Sequence, residues 1–251
     1  MLPVELQRAL DSISRTPRLL ITCDFDGTLA PIVSNPADAR MLPDAAVALT
    51  ALAELPDTEV ALVSGRALGV LRTLSGFSKM PGSVHLVGSH GAEFATGFAH
   101  DIDQALLTRI TDTLNEIAAG APGVAVETKP ASVALHVRHA SPADGEAALE
   151  AARRASVTWD AHTTAGKAVL EFAVVKTDKG EAVDILRDQT ASTAVVFLGD
   201  DVTDEKAFAR MREADVGVKV GPGETLAGLR IESPDDVAEA LAYLLNARAH
   251  R

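Results

Sequence analysis

The sequence has 251 residues, enough for one or two domains, and its 47% hydrophobic and 23% charged residues are typical of soluble globular proteins. The formal net charge of −12 argues against nucleic acid as the main partner, because phosphate backbones are bound by basic patches. No apolar run approaches the roughly 18 residues of a membrane span, so we expect no membrane association. With its single cysteine, Cys23, and no apolar secretion signal at the N-terminus, the sequence favours the cytoplasm.

Short apolar runs alternate with helical patterns, which predicts a Rossmann-like parallel sheet covered by helices on both faces. Each predicted strand is rich in Val, Leu or Ile, as expected for a strand buried on both faces. The five predicted strands are Leu19–Cys23, Val60–Val63, Val84–Val87, Ala194–Leu198 and Val216–Val220. Four helices are predicted to start after the capping residues Asp44, Ser141, Asp178 and Ser233.

The middle of the chain has a different pattern, in which polar and apolar residues alternate as in β-hairpins. The first hairpin covers residues 123–139 and turns around Lys129 to Ser132. The second covers residues 157–174 and is predicted to turn near Ala165 and Gly166. On the first hairpin the pattern places charged residues on one face and valines and leucine on the other.

A helix is predicted before each hairpin, at about residues 103–118 and 142–155. Helices paired with antiparallel hairpins indicate a small α+β domain, which we place at residues 104–176. It would be inserted into an α/β core made of residues 1–103 and 177–251.

Polar residues follow four of the predicted core strands at their carboxyl ends, which is where open α/β sheets bind ligands. They are Asp24, Asp26, Gly27 and Thr28; Ser64, Gly65 and Arg66; Gly88, Ser89, His90 and Gly91; and Gly199, Asp200, Asp201 and Asp204.

Asp24 and Asp26 are separated by one residue and point the same way on an extended stretch. Two carboxylates so close repel each other unless a cation lies between them. Asp200 and Asp201, on the neighbouring strand, would add oxygen ligands. Carboxylate and carbonyl oxygens suit Mg²⁺, so the pattern predicts a magnesium site.

The same strand ends offer groups that bind a phosphate. Ser64 can donate a hydrogen bond to it, Lys179 can neutralise it, and the backbone amides after Asp26 can cradle it. Asp24 is the better candidate for a nucleophile that attacks phosphorus, and Asp26 suits a group that gives and then takes a proton.

In this order the motifs resemble the haloacid dehalogenase superfamily of phosphohydrolases, whose pattern is D-x-D-G-T, a Ser or Thr, a Lys and an acidic pair. They are similar in more detail to the trehalose-6-phosphate phosphatase family. The matching segments are DFDGTLAPIV, LVSGR, GSHGAE, ETKPASVALHVR, DKG and FLGDDVTDEKAF, which run from Asp24 to Phe208.

The resemblance implies Mg²⁺-dependent hydrolysis of trehalose 6-phosphate through an aspartyl-phosphate, and it implies a role for each matching residue. The catalytic residues would be Asp24, Asp26, Ser64 and Lys179. The metal would be held by Asp24, the backbone of Asp26, and Asp200, supported by Asp201 and Asp204. Substrate would contact Gly65, Arg66, His90, Glu127, Lys129, Arg138 and Glu171.

Several alternatives stay open. The substrate could be another sugar phosphate, such as sucrose 6-phosphate or a mannosyl-phosphoglycerate, or the chain could be a non-catalytic sugar-phosphate-binding subunit. Arg66 could order its loop instead of binding substrate, His90 could be a structural hydrogen bonder, and the charged hairpin face could be merely solvated. Val137 and Ala173 depart from the family pattern in the region of the sugar contacts. Association with a trehalose-phosphate synthase is a further expectation.

Overall fold

The computed structural model describes residues 2–77, 84–166 and 168–250. Within this part of the chain the strands are β1 (Leu19–Cys23), β2 (Thr58–Val63), β3 (Val84–Val87), β4 (Glu93–Phe94), β5 (Gly97–Phe98), β6 (Ala125–Thr128), β7 (Ser132–His136), β8 (His162–Gly166), β9 (Val169–Ala173), β10 (Ala194–Gly199), β11 (Val216–Val220) and β12 (Leu229–Ile231).

The helices of the described residues are α1 (Val4–Ile13), α2 (Pro43–Ala53), α3 (Leu68–Ser75), α4 (Gln104–Ala119), α5 (Pro142–Ser156), α6 (Lys179–Thr190), α7 (Glu205–Phe208) and α8 (Pro234–Ala249). Among them we find none with both the length and the apolar character needed to cross a membrane.

The chain divides into two compact units. The core unit contains the chain up to Gly97 and from Thr177 onward, and the inserted unit is Phe98–Lys176. The inserted domain predicted from the sequence runs from residue 104 to residue 176.

The core unit is built on a six-stranded parallel sheet with the order β12-β11-β10-β1-β2-β3. The predicted α/β parallel architecture is therefore confirmed, and all five predicted strands are present. Strand β12 was not predicted from the sequence; it has only three residues and pairs with β11 at the sheet edge. A run that short carries too little periodicity to be recognised.

Strand β1 lies between β10 and β2, and every residue of its sequence, LLITC, is buried. Leu19, Ile21 and Cys23 belong to one large apolar cluster that also contains residues of α1, α2 and α8. A strand that is apolar on both faces is stable only when both faces are covered, which agrees with helices on both sides of β1.

Three of the four predicted helix caps are confirmed. The side chains of Ser141, Asp178 and Ser233 each accept a hydrogen bond from a backbone N–H in the first turn of the helix that follows. The prediction that Asp44 caps a helix is wrong, because α2 begins one residue earlier, at Pro43, and Asp44 lies inside its first turn. Proline favours the first helical position, since its fixed φ suits the helix and it has no N–H to satisfy.

The inserted unit contains an antiparallel sheet with the order β6-β7-β9-β8. Its buried face packs against α4 and α5 in a second apolar cluster, in which Trp159 and Phe172 meet edge to face at 5.0 Å between ring centroids. The first hairpin turns as predicted, with the Lys129 N–H donating to the Ser132 carbonyl over 2.8 Å. The second turns after Gly166, which still pairs with Val169, and residue 167 lies outside the described part.

Candidate functional site

The parallel register brings the ends of three strands to one place. Cys23, the last residue of β1, is aligned with Leu62 in β2 and Leu198 in β10. Because parallel strands end at the same edge, Asp24, Ser64 and Asp200 follow together, each just after its strand. The Asp24 backbone N–H donates to the Leu198 carbonyl over 2.9 Å, which fixes the start of the loop.

A buried lysine joins two of the acids at this edge. Lys179 is the first residue of α6, and its Nζ lies 2.8 Å from Asp24 Oδ1 and 2.7 Å from Asp204 Oδ1. The side chains of Lys179, Asp24 and Asp204 are 2%, 6% and 0% exposed. Burial alone would lower the pKa of Lys179, but the two carboxylates outweigh it and raise that pKa, so the ammonium is charged.

Three carboxylates lie close together beside Lys179. One oxygen of Asp24, one of Asp200 and one of Asp204 all lie within 4.8 Å of one another, and Thr28 Oγ1 donates to Asp200 Oδ1 over 3.2 Å. Burial raises the pKa of Asp24 well above its usual range, Lys179 opposes the shift, and Asp204 adds to it. Burial, and next Asp204, raises the pKa of Asp200. The cluster therefore has an excess of acid that a divalent cation would compensate.

The chemistry of this donor set fits Mg²⁺. Carboxylate oxygens are hard ligands of the type that this ion prefers. The backbone also makes room for them, because a Cβ on Gly27 would lie 2.1 Å from Asp200 Oδ2, and Gly27 has a φ of 83°. Only glycine combines that left-handed conformation with so close an approach.

The carboxylate of Asp26 has a different partner from that of Asp24. Arg66 Nε donates to Asp26 Oδ2 and Arg66 Nη2 donates to Asp26 Oδ1, both over 2.6 Å, in a bidentate ion pair. The two acids of the D-x-D motif are thus each matched to a cation of the protein, Lys179 for Asp24 and Arg66 for Asp26.

The loop after β2 is tied to the loop after β3. The His90 N–H donates to the Ser64 carbonyl over 2.9 Å, and the Ser89 N–H donates to the Arg66 carbonyl over 2.8 Å. The His90 ring lies against Gly65, where an added Cβ would be 2.4 Å from its Cε1 atom. Ser64 Oγ accepts from the Arg66 N–H over 3.2 Å, which leaves its hydroxyl hydrogen to donate to an anion.

Two further residues hold Asp200 and Asp204 in place. The Nζ atom of Lys219 donates to the Asp200 backbone carbonyl, and the Asp201 N–H donates to Asp204 Oδ2 over 2.9 Å. Lys219 is 4% exposed and was not among the predicted site residues. The sequence could have identified it, because a lysine inside the buried run VGVKV costs free energy unless its ammonium has a partner.

The inserted unit presents the remaining predicted residues on one face of its sheet. Glu127 is aligned with Ala134, and Ala134 with Glu171, so both glutamates lie on the face opposite the apolar cluster. Lys129 Nζ and Ser132 Oγ both donate to Glu171 Oε1, over 3.0 and 2.6 Å.

Glu127 has a separate partner on this face, His136, whose Nε2 lies 2.9 Å from Glu127 Oε2. Arg138 follows the end of β7 and is exposed. The predicted separation of charged and apolar residues on the first hairpin agrees with this register. Ser132 was missed, and it carries no signal in the sequence because its partner is 39 residues away.

Residues 22–228 match the model of the trehalose-phosphatase family. Trehalose-6-phosphate phosphatase of Escherichia coli is 35% identical over 233 residues, which cover 89% of this chain and 85% of that protein. A protein of Mycobacterium tuberculosis described as an uncharacterized glycosyl hydrolase is 33% identical over 94% of this chain. The chain spans only 19% of that relative's length.

Solved structures support the fold. The C-terminal domain of Candida albicans trehalose-6-phosphate phosphatase superposes with a TM-score of 0.78 at 24% identity, covering 97% of each chain. At that identity the likeness concerns the fold, and it agrees with the α/β core predicted from the sequence. With the family model matching most of its length, the chain belongs to the trehalose-phosphatase family, a family of phosphatase enzymes.

Proposed function

We propose that the protein hydrolyses trehalose 6-phosphate to trehalose and inorganic phosphate through a phosphorylated Asp24. The observation that supports this most directly is the buried contact between Asp24 and Lys179 at the carboxyl end of β1, in a chain of the trehalose-phosphatase family. A carboxylate held there by a fixed ammonium can be approached by a phosphate whose charge the same ammonium helps to neutralise.

In the first step an oxygen of Asp24 attacks phosphorus, and the bond between phosphorus and the sugar oxygen breaks. Asp26 gives its proton to that oxygen as it leaves, because an alkoxide is a poor leaving group without one. In the second step the ionised Asp26 takes a proton from water, which attacks phosphorus and releases phosphate from Asp24. Atoms and charges balance over the two steps, and both acids return to their starting states.

The residues that would position the phosphate are held in place by other contacts of the core unit. Ser64 can donate its hydroxyl hydrogen, and Lys179 stays charged between its carboxylates. Asp24, the backbone of Asp26, and Asp200 would hold Mg²⁺, with Asp204 supporting them through Lys179 and the Asp201 N–H. When bound, the cation would neutralise charge on the phosphate oxygens and on the acidic cluster.

The inserted unit would supply the contacts that select the sugar. Glu127, Lys129, Arg138 and Glu171 are groups that hydrogen-bond hydroxyls, and three of them share the charged face of its sheet. A site built to bond hydroxyls discriminates strongly against analogues that lack them, because its polar groups would be left unpaired.

The test is release of phosphate from trehalose 6-phosphate, sucrose 6-phosphate and glucose 6-phosphate, each with Mg²⁺ and with EDTA. We expect the highest kcat/KM with trehalose 6-phosphate and no turnover in EDTA. A markedly better sugar phosphate would reassign the substrate, and full activity in EDTA would remove the metal from the mechanism. Binding without turnover of any substrate would instead support a non-catalytic subunit.

We further propose a cytoplasmic location, which the single cysteine favours, and association with a trehalose-phosphate synthase. Co-elution of the two proteins on size exclusion, against each alone, tests the association. Unchanged elution volumes at concentrations well above those in cells would argue against it.

A further inference from the structure

Arg66 and Asp26 form a closely constrained ion pair. Its two hydrogen bonds are each 2.6 Å long and use both carboxylate oxygens. The bidentate geometry sets the plane of the carboxylate as well as its position. The side chains of Arg66 and Asp26 are 15% and 32% exposed, so water partly screens the pair.

Arg66 is held in place through both its side chain and its backbone. Its Cζ atom lies 5.8 Å from the centre of the Phe25 ring, and Phe25 is fully buried between the two acids of the motif. The backbone of Arg66 is fixed as well, because its N–H donates to Ser64 Oγ and its carbonyl accepts from the Ser89 N–H. Arg66 therefore cannot move easily, and the Asp26 carboxylate that it binds is held in one orientation.

We propose that Arg66 is a positioning residue, which holds the Asp26 carboxylate in the orientation for proton transfer and apart from the acidic cluster of Asp24, Asp200 and Asp204. This inference rests on the proposed function. Arg66 forms and breaks no covalent bond. The Phe25 ring packs against the guanidinium and helps to hold it in place.

The competing interpretation is that Arg66 binds the phosphoryl group of the substrate. The two roles differ in how they depend on the leaving group. An orienting role matters when the leaving oxygen needs a proton, as in an alkyl phosphate, and matters little for p-nitrophenyl phosphate, whose phenolate leaves without one. A phosphate-binding role affects both substrates equally, since both carry the same phosphoryl group.

The experiment compares kcat/KM of the wild type, Arg66→Ala and Arg66→Lys on trehalose 6-phosphate and on p-nitrophenyl phosphate. This ratio includes only steps up to cleavage of the first bond, so hydrolysis of the phosphorylated enzyme does not enter. We expect Arg66→Ala to lose about 100-fold on the sugar phosphate and less than about threefold on the aryl phosphate, as for a misplaced catalytic group. Arg66→Lys should recover little, because an ammonium cannot make the two parallel bonds.

Chemical rescue adds a readout that a purely structural role would not move. Methylguanidine added to Arg66→Ala should restore part of the lost rate on the sugar phosphate and leave the aryl rate unchanged. Arg212→Ala, which removes an exposed arginine of the core unit, serves as the control for lost charge and should behave as the wild type.

Equal losses on both substrates, or no loss on either, would overturn the proposal. A wild type that prefers another alkyl phosphate would refute the proposed substrate alone, and the comparison would then be made with that phosphate. A wild type that cleaves only aryl phosphates would overturn the positioning role as well, because no leaving oxygen would then need the proton.

Discussion

The two charged regions of the molecule differ in how deeply their ion pairs are buried. In the core unit, Lys179 and its two carboxylates are at most 6% exposed. On the sheet of the inserted unit, Lys129 and Glu171 are 16% and 21% exposed, and His136 and Glu127 are 42% and 54% exposed. Buried charges without a partner cost far more than exposed ones. The core site is therefore a fixed arrangement, whereas the sheet face of the inserted unit can exchange its internal contacts for those of a ligand at little cost.

The largest effect should follow from Asp24→Asn. The amide keeps the shape of the side chain but cannot act as the nucleophile, so kcat on trehalose 6-phosphate should fall by at least about a thousandfold. Circular dichroism and thermal unfolding should show an intact fold. Turnover near the wild-type rate would exclude Asp24 from the chemistry.

The same substitution in the two regions gives the next contrast. Lys179→Met leaves Asp24 and Asp204 buried without their cation, which should destabilise the core unit by about 3–5 kcal/mol in EDTA. Lys129→Met breaks a partly exposed pair, and Ser132 still bonds Glu171, so the cost should be about 1 kcal/mol. Urea unfolding measures both, and equal costs would contradict the distinction between the regions.

A smaller effect is expected for Glu171→Gln. The amide weakens hydrogen bonds to sugar hydroxyls, so KM for trehalose 6-phosphate should rise about tenfold, a loss of about 1.4 kcal/mol. The kinetics of p-nitrophenyl phosphate, which has no sugar, should not change. If both substrates were affected alike, Glu171 would be acting through the fold and not through the sugar.

Mg²⁺ should stabilise the protein more at pH 8 than at pH 5. Burial raises the pKa values of Asp24 and Asp200, so in the folded protein protons are held by these groups to higher pH than in the unfolded chain. Without metal, stability from these two groups is therefore present at low pH and lost as pH rises, and a cation that binds their ionised forms restores it. At a hundred times the dissociation constant the gain is about 2.7 kcal/mol, visible as a rise of several degrees in Tm.

Equal rises in Tm at pH 5 and pH 8 would contradict this account of the metal site. Asp200→Asn is the matched variant, in which the stabilisation by Mg²⁺ at pH 8 should be reduced.

The smallest effect concerns Cys23. Burial, and next the nearby charge of Asp24, raises the pKa of this thiol, which disfavours the reactive thiolate. We expect no reaction with a thiol reagent at pH 8 in the native protein and one equivalent after unfolding. Rapid labelling of the native protein would show that β1 opens readily.

The sequence predicted the sheet, the motif order and the family because these depend on local patterns, such as the buried run of β1 and the D-x-D-G-T turn after it. It did not reveal which cation each acid binds. Arg66 and Asp26 are 40 residues apart, and Lys179 is far from Asp24 along the chain, so only the fold brings each pair together. The prediction of one cation shared by Asp24 and Asp26 did not include the contact of Asp24 with Lys179 or that of Asp26 with Arg66.

The start of α2 shows the same limit on a smaller scale. Asp44 and Pro43 both favour a helix start, and the sequence does not say which of them sets the first turn. In the structure the proline does, which moves Asp44 into the helix.

The most direct test of the account is a crystal structure of the wild type with Mg²⁺ and beryllofluoride, which mimics a phosphoryl group on a carboxylate. We predict beryllium joined to an oxygen of Asp24 and fluorides near Ser64 and Lys179. The cation should be held by Asp24, the backbone of Asp26, and Asp200, while the Asp26 carboxylate keeps its contact with Arg66. Beryllofluoride joined to another residue, or a cation bridging the carboxylates of Asp24 and Asp26, would contradict it.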